Sequence, residues 1–281
     1  MAQLSIDRLP ISRQAFFEQR PADQFEMNKS FAILLVCGWC LAGPGALAVP
    51  VQPETDPELS SGNFEGDLVL DAFQKLAIVR GYDQRNGLLS EQYRWPNKTV
   101  YYKIDTTNFT AKNTELIKEA MAAIARSSCL NFTEASEKAT AYIHVVGETS
   151  GCYSSVGYMG RVQKLNLAPG CLQLGTIMHE FLHAIGFYHM QSASDRDNFV
   201  KIIWKKIKSG KEHNFKKHGA GTVGHFNGTY DYGSLMHYSA TAFSIDGNKT
   251  IVPKQKGVEI GQRKGLSPSD VAKLRRMYKC D

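Results

Sequence analysis

The chain has 281 residues, 43% of them hydrophobic and 21% charged, which is ordinary globular composition and enough for one large domain or two small ones. That excludes a disordered or fibrous chain. Charge is unevenly spread: residues 1–85 carry 11 acidic against 7 basic side chains, whereas residues 86–281 carry 26 basic against 16 acidic, a net of +10.

Along the chain, residues 31–49 form an apolar run preceded by Lys29 and broken by Gly43, Pro44 and Gly45. It is too short and too interrupted for a membrane span of about 20 residues. Ala46-Leu47-Ala48 reads as a signal peptidase site, so residues 27–48 are expected to be a signal peptide starting at Met27 and cut after Ala48. Residues 1–26, polar and of mixed charge, are then a dispensable or non-native leader; a long leading region or an uncleaved anchor is the alternative. Cys37 and Cys40 have the spacing of a redox or zinc pair, but inside a signal core they are apolar filler. A secreted, extracellular product without a membrane span follows. In that compartment Cys129, Cys152, Cys171 and Cys280 are disulfide candidates, and four cysteines allow three pairings. Asn-x-Thr sites at Asn97, Asn108, Asn131, Asn227 and Asn248 are glycosylation candidates.

Residues 49–62, rich in Pro, Glu and Ser, read as extended chain that builds no core. Thr99-Val-Tyr-Tyr-Lys-Ile104 reads as a strand. Residues 114–127 read as a helix with Ile117, Ala120, Met121 and Ile124 on one face. Ala141-Tyr-Ile-His-Val-Val146 reads as a second strand and Lys164-Leu-Asn-Leu167 as a short strand suited to a sheet edge. Strands and helices so mixed predict an α+β fold, a mixed sheet with helices packed against it. Residues 197–208 read as helical through Phe199, Ile203 and Ile207, residues 210–265 as irregular, and Ser267-Pro268-Ser269-Asp270 opens a final helix with Ser267 as N-cap. The body, 86–281, is expected to be one domain in two lobes, the second poor in regular structure.

The chemistry lies in His179-Glu180-Phe-Leu-His183-Ala-Ile-Gly186-Phe-Tyr-His189. His179 and His183, at i and i+4, project from one helical face and suit one zinc ion, with Glu180 placed to act on a water held by it. With 8 His and 14 Glu in the chain, a chance H-E-x-x-H is about a one-in-a-hundred event, and Gly186 and His189 make it far rarer. A glycine can take positive φ, end the helix and turn the chain back, making His189 the third ligand. Three protein nitrogens leave a fourth position open, the mark of a catalytic rather than a structural zinc site. Gly233-Ser-Leu-Met236-His237-Tyr238 follows, and a methionine turn beneath three imidazoles is the second half of the metzincin pattern.

Residues 179–189, Ser234 to Tyr238, Asp195-Arg196-Asp197 and Ile260-Gly-Gln-Arg263 together resemble the astacin family of secreted zinc endopeptidases, from about Gln92 to Cys280. The resemblance implies a metzincin-like two-lobed domain with two long helices in its first lobe. It implies one Zn2+, Tyr238 as an additional, switchable zinc ligand and oxyanion stabiliser, and disulfides Cys129 to Cys280 and Cys152 to Cys171. Phe64-Glu65-Gly66-Asp67 is similar to the family's propeptide motif F-x-G-D, which makes 49–85 a propeptide and Asp67 its zinc-blocking ligand. A trypsin-like protease cutting after Arg85, with Asn86 as the new terminus, would release activity; Arg80 is the competing site. The chain departs from the family at Met190, where a Glu normally engages the mature terminus, at Ala193, normally Arg, and at Arg161, normally Gly. The expected reaction is peptide-bond hydrolysis with Glu180 as general base and acid and the substrate extended against Lys164 to Leu167. The basic runs Lys201 to Lys217 and Lys254 to Lys264 suit either a solvated surface or a preference for acidic substrates or glycans, and nucleic acid is not an expected partner. A secreted astacin-fold binding protein without activity is the alternative, but no ligand and no base is missing.

Overall fold

A computed structural model describes residues 56–80, 91–218 and 229–280. The expected leader and signal peptide, Arg85, Asn86 and the sequon at Asn227 lie outside the described residues. In chain order the elements are β1 (Leu68–Val69), α1 (Ala72–Arg80), β2 (Thr99–Ile104), α2 (Ala111–Arg126), β3 (Asn131–Glu134), β4 (Ile143–Val146), β5 (Cys152–Ser155), β6 (Gln163–Leu167), α3 (Leu174–Ala184), β7 (Val200–Ile202), β8 (Ile251–Pro253) and α4 (Pro268–Met277). None of the described helices is long and apolar enough to cross a membrane.

Six strands form one mixed sheet in the order β1-β5-β6-β4-β2-β3. β3, β2, β4 and β6 run parallel, β5 is antiparallel to β6, and β1 is parallel to β5. The fold is α+β, as expected, and α2 and α3 pack against each other beside the sheet. Helix α2 starts three residues before the expected 114, because the Thr110 hydroxyl accepts the Asn113 N–H and so sets the start. Its predicted apolar face, Ile117, Ala120, Met121 and Ile124, is buried. The core between sheet and helices also takes in Leu274, Met277 and Tyr278, so the last helix packs on the first lobe. Ser267 and Asp270 form the capping box that starts it. Disulfides Cys129–Cys280 and Cys152–Cys171 tie its end to the end of α2, and β5 to the turn before α3.

Three expectations are corrected. Lys164 to Leu167 is not at an edge: β6 lies between β5 and β4, and β5 is the outer strand, itself covered by β1. Residues 197–208 are not a helix but a turn at Arg196–Asn198, the strand β7 and a turn at Trp204–Lys206. The spacing of Phe199, Ile203 and Ile207 fits a helix, yet the buried-exposed-buried alternation of Val200, Lys201 and Ile202 is the period that pairs with β8. Part of 49–62 does build core: Pro57–Leu59 is a 3-10 turn and Glu58 is buried.

The first turn of α3 passes so close to the 260s loop that Gly175 has no room for a side chain. A Cβ there would meet the Arg263 carbonyl oxygen at 1.8 Å. Gly175→Ala is expected to destabilise the protein by about 3 kcal/mol, by forced backbone displacement. Gly233→Ala, whose nearest neighbour would be 3.4 Å away, is expected to stay within about 0.5 kcal/mol. Urea unfolding of both variants checks the difference.

Candidate metal centre and catalytic site

Helix α3 presents His179 and His183 one turn apart on a helix buried on every side. It stops where Gly186, at φ 110°, reverses the chain. The Gly186 and Phe187 N–H groups then satisfy the carbonyls of His183 and Leu182. The turn delivers His189 to the same point as the two helical histidines, which is the role the sequence assigns to that glycine.

Each imidazole is oriented from its far side. His179 Nδ1 lies 2.9 Å from the Leu235 carbonyl, and His183 Nδ1 lies 2.7 Å from the Phe187 carbonyl. A carbonyl can only accept, so both Nδ1 atoms carry the proton. His189 Nδ1 meets a carboxylate oxygen of Glu65 at 2.8 Å. With the Nδ1 positions committed, the three Nε2 lone pairs face inward. His179 Nε2 lies 3.0 Å from that of His183 and 3.3 Å from that of His189. Asp67 Oδ2 completes the group at 3.2, 3.6 and 3.2 Å from His179, His183 and His189. Ligands bound tetrahedrally at zinc–nitrogen and zinc–oxygen distances of about 2.0–2.1 Å stand roughly 3.3–3.4 Å apart. The four donors match that spacing, and unprotonated nitrogens turned on one another are held together by a cation and repel without one. Among the described residues they are the one group that could hold a metal.

Glu180 is fully buried, and neither carboxylate oxygen has a hydrogen-bond partner among the described residues. Burial, then the charges of Asp67 and Glu58, push its carboxyl well above the usual range. Farther along the chain, Met236 is buried in a turn held from two sides. Asp270 accepts from the Ser234 hydroxyl at 2.7 Å and the Leu235 N–H at 2.8 Å. Arg263 donates to the Leu235 and His237 carbonyls at 3.1 and 3.2 Å. Tyr238 follows, its ring 4.7 Å from that of His189 and its hydroxyl donating to the Glu65 carbonyl. Burial, then Glu65 and Asp67, push that phenol well up.

Several residues at this site carry no motif of their own. Glu65, in the free position of F-x-G-D, sits at φ 47° with its carboxylate on His189, on the Ser192 hydroxyl at 2.7 Å and on His218 Nε2 at 2.9 Å. Glu58 pairs with Arg263, whose Nε lies 2.8 and 3.0 Å from its two oxygens. Burial pushes the Glu58 carboxyl up, but the charges and hydrogen bonds facing it, those of Arg263 foremost, together hold it at about 2. The available signal was compositional, an acidic front before a basic body. Met190 is buried, its sulfur 3.8 Å from Lys273 Nζ; Ala193 is buried and Arg161 exposed. Of the sequons, Asn97, Asn108, Asn131 and Asn248 are exposed.

Residues 88–279 match the family model for astacin, a family of peptidases. Zinc metalloproteinase nas-13 of Caenorhabditis elegans is 40% identical over 227 residues, 77% of this chain and 50% of that protein. Meprin A subunit beta of Homo sapiens is 41% identical over 77% of this chain and 30% of its own length, and seminal metalloprotease 1 of Drosophila melanogaster is 37% identical over 80% and 90%. The chain thus spans about half the length of nas-13 and under a third of the meprin subunit. Among solved structures, high choriolytic enzyme 1, a hatching enzyme zinc-protease from Oryzias latipes, superposes with a TM-score of 0.62 at 36% identity, over 67% of this chain and 94% of that one. Because the matched region holds all three converging imidazoles and Glu180 between them, the chain belongs to the astacin family of zinc metalloendopeptidases, and zinc is the metal its donors serve.

Proposed function

We propose that this protein is a secreted zinc endopeptidase made as a zymogen, in which residues 49–85 are the propeptide. The observation that carries the reading is Asp67: a buried carboxylate oxygen stands where a tetrahedral site bearing three imidazoles has its fourth position. Immediately after it, β1 lies along the edge of β5, the strand to which an extended substrate would add. The same segment therefore takes up both the metal position and the peptide-binding edge. Substrate is accordingly assigned to β5 instead of Lys164 to Leu167.

When bound, zinc lowers the pKa of a coordinated water to about 7 and polarises the scissile carbonyl. Glu180, with both oxygens unclaimed by the described protein, takes the proton of the attacking water and hands it to the leaving amine. Tyr238 is released when Glu65 departs, since its hydroxyl is engaged by that residue's carbonyl. It would then be free to act as a switchable ligand for the metal and to donate a hydrogen bond to the developing oxyanion, a contribution of about 3 kcal/mol for an oxyanion donor. Asp270 and Arg263 hold the Met236 turn, and through the Leu235 carbonyl the ring of His179, so that these groups act from fixed positions.

Secretion through the peptide 27–48 fits the two disulfides. Activation by a trypsin-like protease is assigned to Arg85, giving Asn86 as terminus. The substrates are proteins or peptides, with a preference for acidic side chains: Arg263 already donates to one carboxylate, that of Glu58.

After trypsin treatment the protein is expected to digest casein, to lose that activity to a chelator and to regain it with Zn2+; full activity in chelator sinks the metal mechanism. Glu180→Gln is expected to keep stoichiometric zinc while losing at least a hundredfold in turnover, and retained turnover removes Glu180 as the base. Asp67→Ala is expected to raise the casein activity of the uncleaved chain at least tenfold, and adding Glu58→Ala to raise it further, because the segment stays docked through Glu58. An uncleaved double variant as silent as the parent would show that latency lies elsewhere.

A further inference from the structure

Outside the metal site, a cavity of about 440 Å3 opens between the turn before β2 and the connection from β3 to β4. That is within the range, about 300–1,000 Å3, of pockets that hold small molecules. One wall is aromatic: Trp95 packs edge-on against Tyr158 with ring centroids 5.0 Å apart, and Tyr101 is 42% exposed, an unusual share for a large ring in the middle of a strand. Ser136 and Thr140 add polar groups to the lining. Asn97 stands in the lining as well.

Asn97-Lys98-Thr99 is a glycosylation sequon. Asn97 and Lys98 sit at φ 52° and 57°, left-handed backbone that asparagine tolerates better than most residues. The turn leaves Asn97 exposed at the mouth of the cavity. Its side-chain amide makes no hydrogen bond to the described residues. Asn108 differs: its Nδ2 donates to Asp105 at 2.7 Å and to Thr107 at 3.2 Å, and a glycosylated amide keeps only one N–H. Asn131 and Asn248 are exposed and do not line this cavity.

We propose that Asn97 carries an N-linked glycan whose first N-acetylglucosamine lies in this cavity, as a built-in part of the domain. The C–H face of the sugar ring covers Tyr101 and Tyr158, removing apolar surface from water, and its acetamido and hydroxyl groups turn to Ser136 and Thr140. The bond forms when Asn97 Nδ2 displaces the lipid pyrophosphate from C1 of a lipid-linked oligosaccharide. N–C1 is made, C1–O is broken, and the amide gives up one proton as the pyrophosphate leaves. The inference rests on the secretory route proposed above.

The full chain, expressed in a eukaryotic secretory host and recovered from the medium, provides the test. Mass mapping is expected to find Asn97 modified. Peptide N-glycosidase acting on the folded protein is expected to release the Asn248 glycan, where present, at least tenfold faster than that of Asn97, and Tyr101→Ala is expected to abolish the difference. Asn97→Gln is expected to lower the melting temperature by about 2–4 °C, with Tyr101→Ala adding less in that background than in the glycosylated parent. Secreted, disulfide-bonded protein with bare Asn97 overturns the proposal alone. A modified Asn97 that is released from the folded protein as fast as from the unfolded one, with Tyr101→Ala equally costly with and without the glycan, overturns the seating in the cavity. A chain retained in the cytosol with reduced cysteines overturns the secretory reading and this inference together.

Discussion

Everything at the centre of this molecule depends on three imidazole lone pairs being turned toward one point. Uncharged nitrogens do not gather at about 3 Å spontaneously; each is forced there by what its Nδ1 proton must satisfy on the other side. The acceptors come from three places: the Met236 turn for His179, the end of α3 for His183, and Glu65 for His189. Two of these belong to the body of the domain. The third belongs to the segment that also supplies Asp67, so the histidine set loosest in the chain, beyond Gly186, is the one oriented by the part proposed to leave.

The dependence extends outward through two side chains that reach the Met236 turn from the second lobe. Asp270 caps α4 and holds Ser234 and Leu235 with the same carboxylate. Arg263 clamps the turn's carbonyls while its own backbone presses on Gly175. Helix α4, last in sequence, is thereby bound to the first lobe by its core residues, by Tyr278 on the Ile185 carbonyl and by the Cys129–Cys280 bridge. The irregular lobe is framed on both sides by elements anchored in the regular one, which explains how a lobe with one two-stranded sheet among its described residues keeps a site within hydrogen-bond tolerance.

What could be seen in the sequence was what is local. His179, His183, Gly186 and His189 lie within eleven residues, and helix geometry with one positive-φ glycine suffices to bring them together. The capping of α4 was visible in four residues for the same reason. The position of β6 was not, because a strand of five residues carries its own pattern but not its neighbours. Phe199, Ile203 and Ile207 misled because a helical spacing and a strand with flanking turns bury the same residues there. Glu58 and His218 were invisible, and Arg263 and Glu65, though each stands in a motif, gave no sign of their partners. Glu58 meets a partner 205 positions away, and nothing short-range marks either as paired.

The acidic front and basic body, the coarsest feature of the chain, find their physical meaning in that pairing. Within ten residues the front places three carboxylates inside the body: Glu58 on Arg263, Glu65 on His189 and His218, and Asp67 among the metal donors. Buried charges of this kind add little net stability when desolvation is counted, but each is costly to leave unpaired. Such a contact is well suited to a segment that must hold while tethered and leave when cut. As part of one chain, the segment faces its site at the high effective concentration of a short linker. Once severed, it must return from dilute solution to carboxylates and cations that water solvates well on both sides. In the proposed zymogen, a cut in the 80s therefore needs to disturb none of these contacts directly; it only has to end the tether that made weak net binding sufficient.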